Sequence, residues 1–158
     1  GGANLGDVWG HSKVSGPGAT NGLVPFHKLS QWLTYSLLEP LEEYGVRVTG
    51  LDQLTGLAEY RNGGLFLDGG VLSLKDPTVA SVEHSASSEI IVEWRALTVI
   101  LLDQVAARLR ESLKKSESEL PLAKVLQGGT WAVGRTLASG LRAGGGPPLK
   151  IASDGTVF

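Results

Sequence analysis

Apolar residues recur at helical spacing along much of the chain, and they divide it into elements. Phe26, Leu29, Leu33, Leu37 and Leu41 follow one another at intervals of three and four, with Trp32 and Leu38 beside them, which predicts an amphipathic helix. Pro40 has no amide hydrogen and its ring collides with the preceding turn, so this helix is expected to bend or end near Leu38, with Gly45 stopping whatever turn follows. The run from Ser88 to about Lys115, SEIIVEWRALTVILLDQVAARLRESLKK, predicts the strongest element. It starts with serine and glutamate and ends with Arg108, Arg110, Lys114 and Lys115, matching the helix dipole at both ends. Its first half is apolar on every face, the mark of a central buried helix. A final helix is expected from Pro121 to about Leu141, stopped by the sequence AGGGPP.

Between these helices the pattern is shorter in period. The first 25 residues are rich in Gly, Ser, Pro and Asn and are expected to be mostly loop. Val46-Arg47-Val48 reads as a short strand, and Leu51 to Leu57 carries alternate apolar residues broken by Gly50 and Gly56. Leu65 to Leu74, LFLDGGVLSL, also reads as strand, with a hairpin around Asp68-Gly69-Gly70. Asp76-Pro77 supplies a cap and a first-turn proline for a short helix. The tail from Leu149 to Phe158 is expected to form one strand and a turn at Asp154-Gly155. The predicted class is therefore mainly α (α+β), a single domain over 1–158. It has a central buried helix and a small β-hairpin inserted between the first and central helices.

Composition narrows the setting. With 42% hydrophobic residues in 158, the chain is expected to be a soluble globular domain. Charged residues make up only 19% and the net charge is -2, so there is no basic field to hold a phosphate backbone, and no nucleic-acid partner is expected. Cysteine is absent, which excludes disulfides, thiolate metal sites and a cysteine nucleophile within these residues. Apolar runs such as Ala96 to Leu102 are far short of the roughly 18 residues a membrane helix needs. No signal-peptide pattern opens the chain, so a cytoplasmic location with no membrane partner is expected. There is no methionine, and Gly6-Asp7-Val8-Trp9 looks like the interior of a folded sequence, so a piece of a longer protein is expected.

Candidate chemistry concentrates in two places. In the central helix Glu89 and Glu93 share a face, yet Leu97, the next residue on it, offers no cation, so Glu93 is expected to be a costly uncompensated charge. Arg95, among Ile91 and Val99, and Asp103 each call for a distant partner, and charges so placed more often tie helices together than react. The second place is LAEYRNGGLFLDGGVL, residues 57–72. Arg61 is a candidate bidentate clamp for phosphate or carboxylate, Asn62 a second donor, and Gly63-Gly64 permit close backbone approach, with Glu59 and Asp68 as carboxylates. The same composition also fits a polar hairpin whose glycines only supply positive φ. The spacing matches neither a Walker loop nor a dinucleotide fingerprint, and no GxSxG nucleophile motif is present. His27-Lys28 stands near the start of the first helix, where backbone donors favour anions. His11, His27 and His84 lack metal-ligand spacing, so neither a metal nor another cofactor is expected.

Longer runs add a resemblance. GDVWGH, GLVPFHKLSQWLTYSLLEPLEEYG, LTGLAEYRNGGLFLDGGVL, EWRALTVILLD and the closing GGGPP and SDGTVF resemble the C-terminal part of the family of unknown function linked to the URC route of uracil catabolism in fungi and bacteria. That route opens the pyrimidine ring after the base is attached to ribose and passes through a ribosyl-urea type intermediate. A more distant similarity joins 26–31, 92–95 and 126–131 to segments of the queuosine salvage N-glycosidases, whose helical fold resembles DNA glycosylases. Phe26, His27 and Lys28 stand where those enzymes carry Asp-Tyr-Arg, so their catalytic carboxylate does not carry over. Their acidic base-binding positions fall on Gln127 and Ala132, so queuosine is not the implied substrate, whereas Glu93 and Arg95 do match. Residues 57–72 fall in an insertion relative to those enzymes, a natural place for a replacement site.

Together these readings lead to the expectation of an N-glycosidase-like hydrolase acting on a ribosyl-urea or its phosphate. Asp68 or Glu59 is the expected catalytic carboxylate. Arg61 and Asn62 would hold phosphate or the urea oxygen, His27 and Lys28 the sugar or phosphate, with Glu93, Arg95 and Trp131 completing the site and Trp32 as a further wall. The expected partners are a nucleoside-derived small molecule and the remaining N-terminal part of the same protein. The alternative is a non-catalytic ligand-binding or partner-docking module of the same pathway.

Overall fold

In the computed structural model, which describes residues 4–152, the chain opens with strands β1 (Val8–Gly10) and β2 (Leu23–Pro25), paired antiparallel with Trp9 opposite Val24. Helices α1 (Lys28–Glu43) and α2 (Tyr60–Asp68) follow, then β3 (Glu83–Ser85) and the long α3 (Glu89–Leu113). A short α4 (Leu122–Val125) passes through a π-helical turn (Leu126–Thr130) into α5 (Trp131–Leu141). Strand β4 (Lys150–Ala152) then pairs in parallel with β3, His84 opposite Ile151. The mainly helical class with small β elements is what the sequence predicts. The expected tail turn at Asp154-Gly155 lies outside the described residues.

Helix α3 is the axis of the molecule, as its all-round apolar first half requires. Among the described residues three apolar clusters form, and each draws on it: Ile91 and Trp94 with Leu149, Val92 with Phe26 and Ala58, and Leu102 with Phe66 and Leu126. Glu93 points to solvent, so the expected cost of burying it does not arise. Asp103 is exposed too, and has no ion-pair partner among the described residues, contrary to expectation. No helix among the described residues is long and apolar enough to cross a membrane.

The expected hairpin around Asp68-Gly69-Gly70 is instead the end of α2. A continuous apolar run such as Leu65-Phe66-Leu67 fits a buried helix as well as a strand, and here packing decides. Gly63 and Gly64 are buried inside the helix. A Cβ on Gly63 would sit 2.8 Å from the Thr98 hydroxyl and 2.9 Å from the Trp94 ring, and one on Gly134 of α5 would sit 2.1 Å from the Arg61 carbonyl oxygen. Glycine costs a helix about 1 kcal/mol relative to alanine, and here it lets the α2 backbone meet the Trp94 and Thr98 side chains of α3 and the backbone of α5. The second glycine pair ends the helix, with Gly70 at φ +73°.

Other expectations need correction. Helix α1 runs through Pro40 to Glu43, and Gly45 then turns the chain at φ +82°. The stripe Leu29, Leu33, Leu37 and Leu41 does not face the core. The helix instead meets the body through Gln31 and Tyr35, whose side chains bond Thr55: Gln31 Nε2 to the Thr55 hydroxyl at 2.7 Å, and the Tyr35 hydroxyl to the Thr55 carbonyl at 2.9 Å. Val46-Arg47-Val48 forms no strand. The final helix is interrupted where Gly128 and Gly129 fall in the π turn, since two adjacent glycines weaken the ordinary ladder. The Asp76 cap is present, accepting from the Thr78 amide at 2.9 Å ahead of a 3-10 turn over Pro77–Ser81.

Candidate functional site

Glu59 stands in extended backbone just before α2 and caps it. Its Oε2 accepts from the Arg61 amide at 3.0 Å, and its Oε1 accepts from the Asn62 amide. The carboxylate is therefore fixed at the positive end of a helix. Burial pushes its pKa above the ordinary value of 4.5, outweighing the two amides and the nearby charges of Arg61 and Lys28. Lys28, in the first turn of α1, is itself only 5% exposed. Asn62 is wholly buried: its amide donates to the Leu57 carbonyl at 3.2 Å, and its oxygen accepts from Thr130 of the π turn at 2.9 Å. It locks α2 to the α4–α5 connection rather than offering a donor to solvent.

Arg61 lies against two aromatic faces, 4.6 Å from the Tyr60 ring centre and 5.0 Å from that of Trp131. Arg135, four residues on from Trp131 in α5, lies 5.7 Å from the same indole. No carboxylate forms an ion pair with either guanidinium among the described residues. Two cations on one ring with their hydrogen-bonding edges unpaired can receive an anion or a carbonyl oxygen. Sequence reasoning missed Arg135, although its i,i+4 spacing from Trp131 on a helix was a usable signal.

Arg95 has the distant partner its burial demands. Its two terminal nitrogens donate to the two oxygens of Asp7, each at 2.7 Å, its Nε donates to the Ala58 carbonyl at 3.2 Å, and it lies 4.1 Å over the Phe26 ring. Burial, the largest single influence, pushes the Asp7 carboxyl up, but Arg95, the Lys28 amide and the Trp9 indole together hold it below the usual 3.8. One guanidinium thus joins the residue before β1, the entry to α1 and the residue preceding Glu59. Nothing local in the sequence marks Asp7, which lies 88 positions from Arg95.

The remaining candidates lie elsewhere. Asp68, at the far end of α2 and roughly 13 Å of helix from Glu59, is paired through both oxygens with Arg142, whose Nη1 lies 2.7 Å from Oδ1. His27 precedes α1 at φ 48° with its side chain exposed, Glu93 is exposed on α3, and Trp32 is exposed on the outer face of α1 rather than walling a pocket. An apolar groove of about 210 Å³, lined by residues including Val24, Phe26, Thr55, Ala96, Val99 and Ile100, runs beside the Phe26–Arg95 contact. No three His, Asp or Glu side chains converge as a metal site requires among the described residues.

A family model described as "Protein of unknown function (DUF1688)" matches residues 1–158. The chain belongs to the DUF1688 family. Protein urg3 of Schizosaccharomyces pombe is 49% identical to it over 160 residues, which cover 99% of this chain and 39% of that protein. Uracil catabolism protein 4 of Lachancea kluyveri is 43% identical over 179 residues, covering 99% and 40%. The DUF1688 chain therefore spans about two fifths of the length of these curated relatives. No solved structure matches it, so the likeness to the queuosine salvage N-glycosidases rests on sequence runs alone. Within the DUF1688 chain, Glu59, Arg61, Asn62 and Trp131 come together with Lys28, and Asp68, His27 and Glu93 do not join them.

Proposed function

We propose that this chain acts in uracil catabolism as part of an N-glycosidase-like hydrolase whose substrate is a ribosyl-urea or its phosphate. The pathway is supported by the name of one relative, Uracil catabolism protein 4. The chemistry is carried by a single observation: Glu59 is a buried carboxylate with a raised pKa, fixed at a helix N-terminus beside the charges of Arg61 and Lys28.

Breaking the bond between the sugar C1 and the urea nitrogen builds positive charge on the sugar. A carboxylate held in place stabilises that charge without reorganising, and it also takes a proton from the attacking water. The water oxygen bonds to C1 as Glu59 takes its proton, the urea nitrogen leaves with the bonding electrons and receives that proton from Glu59, and the products are urea and ribose or its phosphate. Arg61 and Arg135, both near the Trp131 indole, would receive the phosphate or the urea oxygen. Asp68 is a poorer choice of carboxylate than Glu59 because Arg142 already occupies both of its oxygens.

One observation favours a second reading, a ligand-binding module of the same pathway: both Glu59 oxygens already accept backbone amides. Incubating a family-length protein containing this chain with ribosyl-urea and with its 5′-phosphate, and following urea and sugar by mass spectrometry, separates the two. Equimolar release of urea and sugar is the result expected. A rise in melting temperature with either compound, with the compound recovered unchanged, would establish the binding module instead.

A further inference from the structure

The apolar stripe of α1 is the strongest pattern in the first half of the sequence, yet the fold leaves it in water. Leu29, Leu33, Leu37 and Leu41 stand four apart on one face with Trp32 at its edge, and they are between 38% and 60% exposed. Together they present roughly 500 Å² of apolar surface, a size that single chains leave open chiefly at functional surfaces. The opposite face of α1 is held to the body by the polar contacts of Gln31 and Tyr35 with Thr55, so the helix cannot simply roll its leucines inward without losing them. The last turn of α1 contains no cation, and Glu39, Glu42 and Glu43 crowd the negative end of its dipole, an arrangement that a basic neighbour would relieve.

The curated relatives extend far beyond the matched region, which is only 39–40% of their length. We infer that the α1 stripe seats the portion of the family-length polypeptide that lies outside this chain, through a complementary apolar ridge on that portion with basic side chains meeting Glu39, Glu42 and Glu43. A second copy of this chain packed with the two helices parallel would set the glutamates against one another, and one packed antiparallel would supply no basic ridge to meet them, since the exposed face of α1 carries no cation.

These 158 residues contain no cysteine, so an introduced one is the only thiol in its stretch and peptide mass separates it from any elsewhere in the polypeptide. Single variants L33C and L37C are made in a family-length protein containing this chain, and their reaction with a bulky maleimide is followed by peptide mass, folded and in urea. Both positions react at least an order of magnitude more slowly in the folded protein, independent of protein concentration, if the inference holds. Reaction at the same rate folded and unfolded overturns it. Protection that appears only as concentration rises, together with dimers in sedimentation, overturns it in favour of a second copy.

Discussion

Replacing Asp7 with alanine tests the most buried ion pair among the described residues. Arg95 is fully buried and Asp7 nearly so, with side-chain exposures of 0% and 13%. Alanine removes two charge-assisted bonds of 2.7 Å, the acceptor for the Lys28 amide at 3.0 Å and that for the Trp9 indole at 2.7 Å. Removing one partner of a buried ion pair costs about 3–5 kcal/mol, because the other charge is left in a poorly solvating place. Water reaches the partly exposed Asp7 end, which places the expected loss near 3 kcal/mol, or about 10 °C in melting temperature for a chain of this length. Urea unfolding followed by tryptophan fluorescence measures it. Adding Arg95→Met to Asp7→Ala removes the stranded charge and is expected to recover part of the loss, and with the single Arg95→Met variant the cycle gives a coupling energy for the pair. A loss below about 1 kcal/mol for Asp7→Ala would refute the view that this pair holds β1 and the α1 entry onto α3.

Three further outcomes follow from the same geometry. Gly134→Ala puts a methyl against the Arg61 carbonyl, so α2 and α5 must part; a loss of about 1–3 kcal/mol in urea unfolding is expected, and an unchanged midpoint would contradict the packing. Glu59 binds its proton more tightly folded than unfolded, so the folded protein loses stability as pH rises from the ordinary value of 4.5 through the raised one and then levels off. Melting curves for the wild type and Glu59→Gln should therefore differ in slope across that interval, and parallel curves would argue against a raised pKa. Asp7 works in the opposite sense: its contribution is fully present above 3.8 and is lost as pH falls through its depressed folded value, a component of acid unfolding that Asp7→Asn should lack.

The long helices were legible because their periodicity and end charges are local signals, and α3 appears almost residue for residue. Helix α2 was not, since nine residues with glycines in the middle read as part of a strand hairpin until the Trp94 and Pro148 surfaces that Gly63 and Gly64 meet are known. The α1 stripe was legible as apolar, but periodicity does not say what covers a face, and here the described residues do not. At the site, Glu59, Arg61 and Asn62 could be picked out because they sit in one short run. Asp7 and Thr130 could not, because their contacts with Arg95 and Asn62 span 88 and 68 positions. Asp68 looked equivalent to Glu59 in sequence, and their opposite ends of α2 and the distant Arg142 distinguish them.

The most direct test compares urea release from ribosyl-urea and its 5′-phosphate by a family-length protein with Glu59→Gln and Asp68→Asn variants of it, each checked for intact folding. The account predicts release by the parent protein, loss of turnover with retained binding in Glu59→Gln, and turnover close to the parent in Asp68→Asn. Release by Glu59→Gln at the parent rate, or loss confined to Asp68→Asn, would contradict it.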